Sequence, residues 1–449
     1  MEKFYDKFTH KAPKSVEKTE NRSFKSVKNS ADKKTFEKKE YSGKKSAYRE
    51  KKYSPKIHTE KSEICGALFD TKSLSEDAKS ILVNFDEILN KTLPLNSKQK
   101  QYLPNQIREL SHYLTDERGS RRVGYMNQKE TLTAYVHYYL WWNLVRLTKL
   151  FSNLPKEFFS LKDDDVCLDI GSGPLTVVIS LFLARPELRS KKLTFYCMDI
   201  SSGALSLGEN IYYSVCASLK CENWKIIRVK GELGTSIKEK AKLVTSANVF
   251  NELDEDFTMP PEYTAKRIGQ KITSYGNDET KYLIIEPGTP KSSRLVSLLR
   301  DYFIRKDYRI AAPCTHCESC VMNGQRGEKW CNFTFFTEDA PSALKKLSEK
   351  SDLPKERAVL SFICVEKCNE NDEISAENEE ISIKIRIVSE EIKLPGNRTG
   401  YYGCCEKGLI LAVTDKKLFS GTLIQVKLHS SFFENAKIDE KSGAVIINI

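Results

Sequence analysis

Apolar positions change their spacing twice along the chain. Ile81, Leu82, Phe85, Ile88 and Leu89 recur at helical intervals, as do Leu132, Tyr135, Val136, Tyr139, Leu140, Leu144 and Leu147. This predicts helices over about 74–160. The second run is dense in Tyr138, Tyr139, Trp141 and Trp142, which packing against the following segment explains. Between the two runs, residues 115–122 (TDERGSRR) read as a basic loop. From residue 161 the pattern becomes short apolar runs at 166–170, 193–198, 225–229, 243–247 and 281–286, separated by helix-length stretches. Such alternation predicts an α/β fold with a parallel sheet and crossover helices. Runs at 332–336 and 358–365 suit antiparallel strands that finish that sheet, and runs at 381–388, 408–413 and 421–428 predict a small C-terminal β domain.

Charge divides the chain further. Residues 1–60 hold 18 Lys/Arg against 9 Asp/Glu, most of the +11 net charge. Residues 1–62 have few aliphatic side chains and read as a disordered basic leader facing a polyanion such as RNA. Its Phe24, Phe36, Tyr41, Tyr48 and Tyr53 suit stacking on unpaired bases. The expected order is then a helical domain (63–160), an α/β domain (161–368) with a cysteine-rich segment (311–333), an acidic linker (369–380) and the β domain (381–449). With no apolar run long enough for a membrane span, and Glu2 and Asp6 near the start, a cytoplasmic protein is expected, monomeric by default.

The strand ending Leu168-Asp169-Ile170 runs into Gly171-Ser172-Gly173-Pro174 and then a helix. Glycines there let the backbone turn tightly and approach a ligand. The third glycine of the dinucleotide pattern is missing. The alternative is the loop that passes under the methionine half of S-adenosyl-L-methionine (SAM), with Asp169 near its amino group. The next strand ends Asp199-Ile200, where an acid can bind ribose hydroxyls. Arginine at position 171 is expected to abolish SAM binding and leave the fold largely intact. Asn251 and Glu252, after the fourth strand, are candidates for orienting a substrate or capping a helix; no recognised catalytic motif accompanies them.

Eight of the thirteen cysteines fall after residue 313. Closely spaced thiolates repel and need a cation, which an iron–sulfur cluster or zinc supplies. Cys314, Cys317 and Cys320 have ferredoxin-like spacing; Cys314, Cys320 and Cys331 form a wider set. Cys404 or Cys405 is the natural fourth ligand, and His316 is available to zinc. Cys65, Cys167, Cys197, Cys216 and Cys221 read as small core hydrophobes.

Several segments, in order, resemble one family: the methyltransferase-like protein of the small ribosomal subunit, known from mitochondria, with bacterial relatives described as predicted rRNA methylases. They are 109–118, 134–143, Leu168 to Pro174, 251–253, 286–290, Pro313-Cys-x-His-x3-Cys320, Trp330-Cys-x-Phe333 and Tyr402-Gly-Cys404. The resemblance implies a class I SAM-dependent methyltransferase (Rossmann-like) fold and association with the small ribosomal subunit or its rRNA. It also implies a [4Fe-4S] cluster on Cys314, Cys320, Cys331 and Cys404, with Cys317 and Cys405 as alternates. SAM-dependent rRNA methylation and a non-catalytic assembly role with a vestigial SAM site are both compatible with it.

Overall fold

The computed structural model describes residues 59–115, 125–253, 259–325, 328–368 and 380–449. Leader residues 1–58, residues 116–122 of the basic loop and linker residues 369–379 lie outside the described residues.

Strand β1 (Lys61–Ala67) comes first, in a stretch whose pattern predicts no strand. Helices α1 (Glu76–Val83), α2 (Phe85–Thr92) and α3 (Ser97–Thr115) follow. Asn84 departs from helical geometry, so the apolar run over 81–89 forms two helices instead of one. Helix α4 (Lys129–Ala134) continues through a π turn (Tyr135–Leu140) into α5 (Trp141–Asn153). The aromatic run is packing, as the pattern predicts. Trp141 Nε1 donates to Leu82 O at 2.8 Å and Trp142 Nε1 to Ser348 Oγ at 3.1 Å. Each indole thereby buries its ring and keeps its N–H satisfied.

The main sheet then builds by alternation: β2 (Val166–Ile170), α6 (Thr176–Ala184), β3 (Thr194–Asp199), α7 (Ser202–Leu219), β4 (Lys225–Lys230), β5 (Leu243–Ala247), α8 (Pro261–Thr273), β6 (Lys281–Pro287) and α9 (Pro290–Ile304). The chain continues with β7 (Tyr308–Ala312), β8 (Phe333–Phe336), α10 (Ser342–Lys350) and β9 (Arg357–Lys367). Spatial order is β4-β3-β2-β5-β6-β9-β7, with β8 also on β9. The first five strands are parallel, and β9 runs antiparallel to β6 and β7. This is the class I methyltransferase arrangement. Strand β2 is buried on both faces. Leu168 and Ile170 join the core under α8 and α9, whereas Cys167 joins the core shared with α5, α6 and α7. Strand order reverses between β2 and β5, which opens a crevice at their C-terminal ends.

A second sheet holds β10 (Glu380–Ile387), β11 (Ile392–Leu394), β12 (Arg398–Cys405), β13 (Gly408–Val413), β14 (Thr422–His429) and β15 (Val445–Asn448). Its order is β1-β14-β10-β12-β13-β15, with β11 beside β12. Strand β1 thus completes a sheet made otherwise of C-terminal residues, and Glu60 N donates to Asn448 O at 2.8 Å. Cys167, Cys197 and Cys216 are buried as expected, but Cys65 on β1 is exposed and is no core residue. Among the described residues no helix is long and apolar enough to cross a membrane.

Candidate functional site

The crevice between β2 and β5 is built around Asp169. Its cross-strand neighbour is Thr245, whose Oγ1 donates to Asp169 Oδ1 at 2.6 Å. Oδ2 is buried with no hydrogen-bond partner among the described residues. Burial pushes this carboxyl up to about 7. Beyond it the chain turns sharply. Gly171 has φ +66° and Gly173 φ +51°. A Cβ on Gly171 would stand 2.3 Å from Val249 Cγ2, whereas one on Gly173 would meet nothing within 4 Å. The loop is therefore packed from beneath at Gly171 and open above Gly173. Ser172 Oγ donates to Asp169 O at 2.9 Å, and Ser172 N to Met198 O at 3.0 Å. Pro174 lies under α7 at Gly208, where no side chain fits.

Asp199 braces the same loop from the end of β3. It accepts Gly173 N at 2.9 Å and Ser201 N at 2.8 Å, one on each carboxylate oxygen. Ile200 beside it is 44% exposed, unusual for isoleucine at a strand end. Ser201 Oγ donates to Asn127 Oδ1 at 2.8 Å, which brings the helical layer to the rim of the crevice.

The loop after β5 is held from below by Glu286, fully buried at the end of β6. Its Oε1 accepts Val249 N at 3.1 Å and Phe250 N at 2.9 Å, and its Oε2 accepts Asn251 N at 3.1 Å. Burial outweighs these bonds and raises its carboxyl to about 7. With its amide oriented to satisfy its neighbours, Asn251 donates to Glu286 Oε2 at 3.1 Å and Asn248 O at 3.0 Å. Asn251 thus faces inward as a brace of the loop, and Glu252 is exposed. Thr245 and Asn127 were not singled out for this site by the sequence, and Glu286 entered only as part of the 286–290 segment, with no role of its own. An acid closing the apolar run Tyr282–Ile285 was the one available signal for Glu286.

The cysteines form a second centre. Cys314, Cys320 and Cys331 lie in the connection between β7 and β8, and Cys404 lies on β12 of the other sheet. All four line one cavity, with about 370 Å³ of atom-free space, its mouth included. Cys317 is exposed, and Cys405 points into the core of the second sheet; neither lines the cavity. His316 Nε2 stands 3.2 Å from Cys404 Sγ, and its Nδ1 is buried with no partner among the described residues. Arg300 and Arg386 complete the charged lining. Arg300 Nη2 donates to Glu318 O at 2.6 Å, and Arg386 Nε to Pro313 O at 3.0 Å. Thr315 Oγ1 donates to Lys384 O at 2.9 Å, so the cysteine segment is fastened to β10. Burial pushes the thiols of Cys314, Cys331 and Cys404 up, and neighbouring thiols add to this. Among the described residues no three His, Cys, Asp or Glu side chains gather around a point suited to one metal ion.

A family model described as mitochondrial small ribosomal subunit Rsm22 matches residues 156–437. A search of curated proteins finds no match. Similar solved structures include a SAM-dependent methyltransferase from Geobacter sulfurreducens in complex with S-adenosyl-L-homocysteine, at 11% identity and a TM-score of 0.28, over 58% of this chain and 98% of that one. A precorrin-6y C5,15-methyltransferase from Geobacter metallireducens is 13% identical at a TM-score of 0.28, over 47% of this chain and 84% of that one. Likenesses of this strength add nothing to what the strand order shows.

Proposed function

Because this chain belongs to the family described as mitochondrial small ribosomal subunit Rsm22, we propose that it works on that subunit by binding rRNA, SAM and a [4Fe-4S] cluster. The convergence on one cavity of Cys314, Cys320 and Cys331, from the β7–β8 connection, with Cys404, from a strand of the second sheet, carries this reading. The donor set is all sulfur, the choice of iron–sulfur centres and of some zinc sites. One zinc ion held at about 2.3 Å by four thiolates needs its sulfurs within roughly 4 Å of each other. A [4Fe-4S] cluster spaces its four cysteine ligands more widely, and four cysteines around one cavity suit that arrangement. When bound, a cluster supplies the positive charge that keeps its cysteine ligands as thiolates. Arg386, opposite Cys404 on β10, then holds the Pro313 carbonyl and with it the first ligand segment.

Asp169 Oδ2 is an orphaned buried acceptor that fits the ammonium of SAM. The open side of Gly173 leaves room for the methionine half. Asp199 and the exposed Ile200 fit the ribose and the adenine face. Methyl transfer is the first reading of this pocket. A non-catalytic assembly role is the second, and the inward-turned Asn251 favours it, because that amide is engaged by Glu286 and Asn248. The compartment follows from the ribosome served. The family's description names a mitochondrial one, and the cytoplasmic alternative rests on the acidic residues of the leader.

Anaerobic purification with iron, sulfide and SAM-binding measurements tests both centres. Labelled methyl incorporated into small-subunit particles supports catalysis, and SAM binding without transfer supports the assembly role. Protein that binds neither iron nor SAM would overturn the proposal.

A further inference from the structure

Cations buried elsewhere in this fold have an anion or a sulfur centre to face. Lys149 meets Asp339 at 2.5 Å, Arg185 meets Glu187 at 3.7 Å, and Arg189 pairs with Asp77. Arg300 and Arg386 face the cysteines. Arg146 on α5 has no such partner among the described residues. It is 8% exposed, its Nη2 donates to the neutral Asn143 amide at 2.9 Å, and its Nε is buried without a partner.

Lys355 lies near enough to Arg146 for the two like charges to repel. Lys355 precedes β9, and its Nζ stands 5.2 Å from the Trp142 ring centre and 5.5 Å from that of Tyr138. Trp142 and Arg146 are four residues apart on α5 and share a face. The two cations therefore flank one aromatic wall. Burial and the guanidinium together push the Lys355 ammonium down to about 8. Burial likewise pushes Arg146 down to about 10.

This arrangement is held firmly. Lys355 O accepts Thr337 Oγ1 at 2.5 Å, and Tyr138 Oη donates to Leu353 O at 3.2 Å. The π turn that carries Tyr138 is itself a local departure from helical geometry, a feature frequent at functional sites. Two neighbouring cations with no anion beside them among the described residues weaken the fold, because a buried charge left uncompensated is costly. An oxyanion between them would neutralise both. A planar guanidinium beside a flexible ammonium is also a good receptor for phosphate oxygens.

We infer that Arg146 and Lys355 form a binding site for a phosphate group, walled by Trp142 and Tyr138, and that an RNA backbone phosphate is its source. The RNA source rests on the rRNA-binding reading above; the site itself requires neither SAM nor the cluster. The chemistry is shared by free inorganic phosphate, so the test has an arm for each.

Full-length protein is titrated with fluorescein-labelled oligouridylate at several salt concentrations, and separately with inorganic phosphate against chloride. Lys355→Met keeps an apolar stem on the aromatic wall, and Arg146→Gln is the second variant. RNA affinity should fall roughly tenfold in Lys355→Met, with a salt slope shallower by ~0.7, the value of one lost phosphate contact on a single strand. Lys355→Arg should restore both. Lys355→Met should also melt no lower than the parent, since one of two like charges has gone. Phosphate binding that Lys355→Met abolishes, with RNA affinity unchanged, keeps the site and overturns the RNA source. Parent-like RNA and phosphate binding in both variants overturns the inference, while the rRNA reading stands. Parent protein that binds no RNA overturns that reading instead.

Discussion

Replacing Gly171 by alanine perturbs the donor loop at its tightest point. The φ of +66° is left-handed, where a Cβ costs roughly 1 kcal/mol. The new carbon would also stand 2.3 Å from Val249 Cγ2. Relief requires moving Val249, whose amide is one of three that Glu286 accepts. Overpacking of this kind costs roughly 1–3 kcal/mol. The total of ~2–4 kcal/mol is a large share of the ~5–15 kcal/mol that holds a domain folded. Gly173 provides the contrast. Its φ of +51° carries the same backbone cost, but a Cβ there meets nothing within 4 Å. Urea denaturation followed by tryptophan fluorescence measures stability, and calorimetric titration with S-adenosyl-L-homocysteine measures the pocket. Gly171→Ala should lose ~2–4 kcal/mol, and adding Val249→Ala should return part of it by removing the overlap. Gly173→Ala should stay within ~1 kcal/mol of the parent and bind the ligand poorly, because its methyl enters the open side. Parent-like stability of Gly171→Ala, or no recovery with Val249→Ala, would refute the steric argument. The same overlap applies to Gly171→Arg, which the sequence alone suggested would spare the fold.

Cys404→Ser should lose iron and speed proteolysis of the acidic linker, whereas Cys317→Ser, exposed and off the cavity, should keep near-parent iron content. The Asp169 carboxyl, raised to about 7 against ~4 when unfolded, holds its proton longer in the fold, so its contribution to stability is lost as pH rises from about 4 through 7. Asp169→Asn should flatten that part of the pH–stability profile, stabilise the protein at neutral pH by on the order of 4 kcal/mol, the equivalent of a carboxyl raised from ~4 to about 7, and abolish SAM binding. Deleting residues 1–58, with 18 Lys/Arg against 8 Asp/Glu, should weaken RNA binding and flatten its salt dependence with little change in Tm. The cut must end there, because Glu60 already pairs with Asn448.

The main sheet was readable because its strands are buried on both faces and so become unbroken apolar runs, as in Val166–Ile170. Strand β12 was not, because Arg398–Cys405 carries two glycines and no alternation that stands out. Strand β1 escaped for a similar reason: Lys61–Ala67 is mostly exposed, and its order comes from pairing with β14. Within the crevice, the Asp169–Pro174 turn was legible since glycine spacing is local to the chain. Thr245 and Glu286 were not, because their roles arise from strand neighbours brought together only by the sheet. The inward rotation of Asn251 likewise depends on Glu286, 35 residues away. Among the cysteines, spacing alone could not separate Cys317 from Cys331. The backbone path does so, turning Cys317 outward and bringing Cys331 to the cavity.

The pairing of Lys61 with Lys427 has a consequence for synthesis. Strand β1 leaves the ribosome more than 360 residues ahead of the β14 edge that receives it. At ~5–20 residues per second, it waits roughly 20–70 s with an open row of backbone donors and acceptors. Throughout that wait the nascent chain presents a ready partner for any foreign strand. Segments 61–67 and 422–429 therefore bracket the residues between them: the second sheet cannot close until β14 has been synthesised. A protein truncated anywhere before residue 422 would leave β1 permanently unpaired, and so marked for aggregation or degradation.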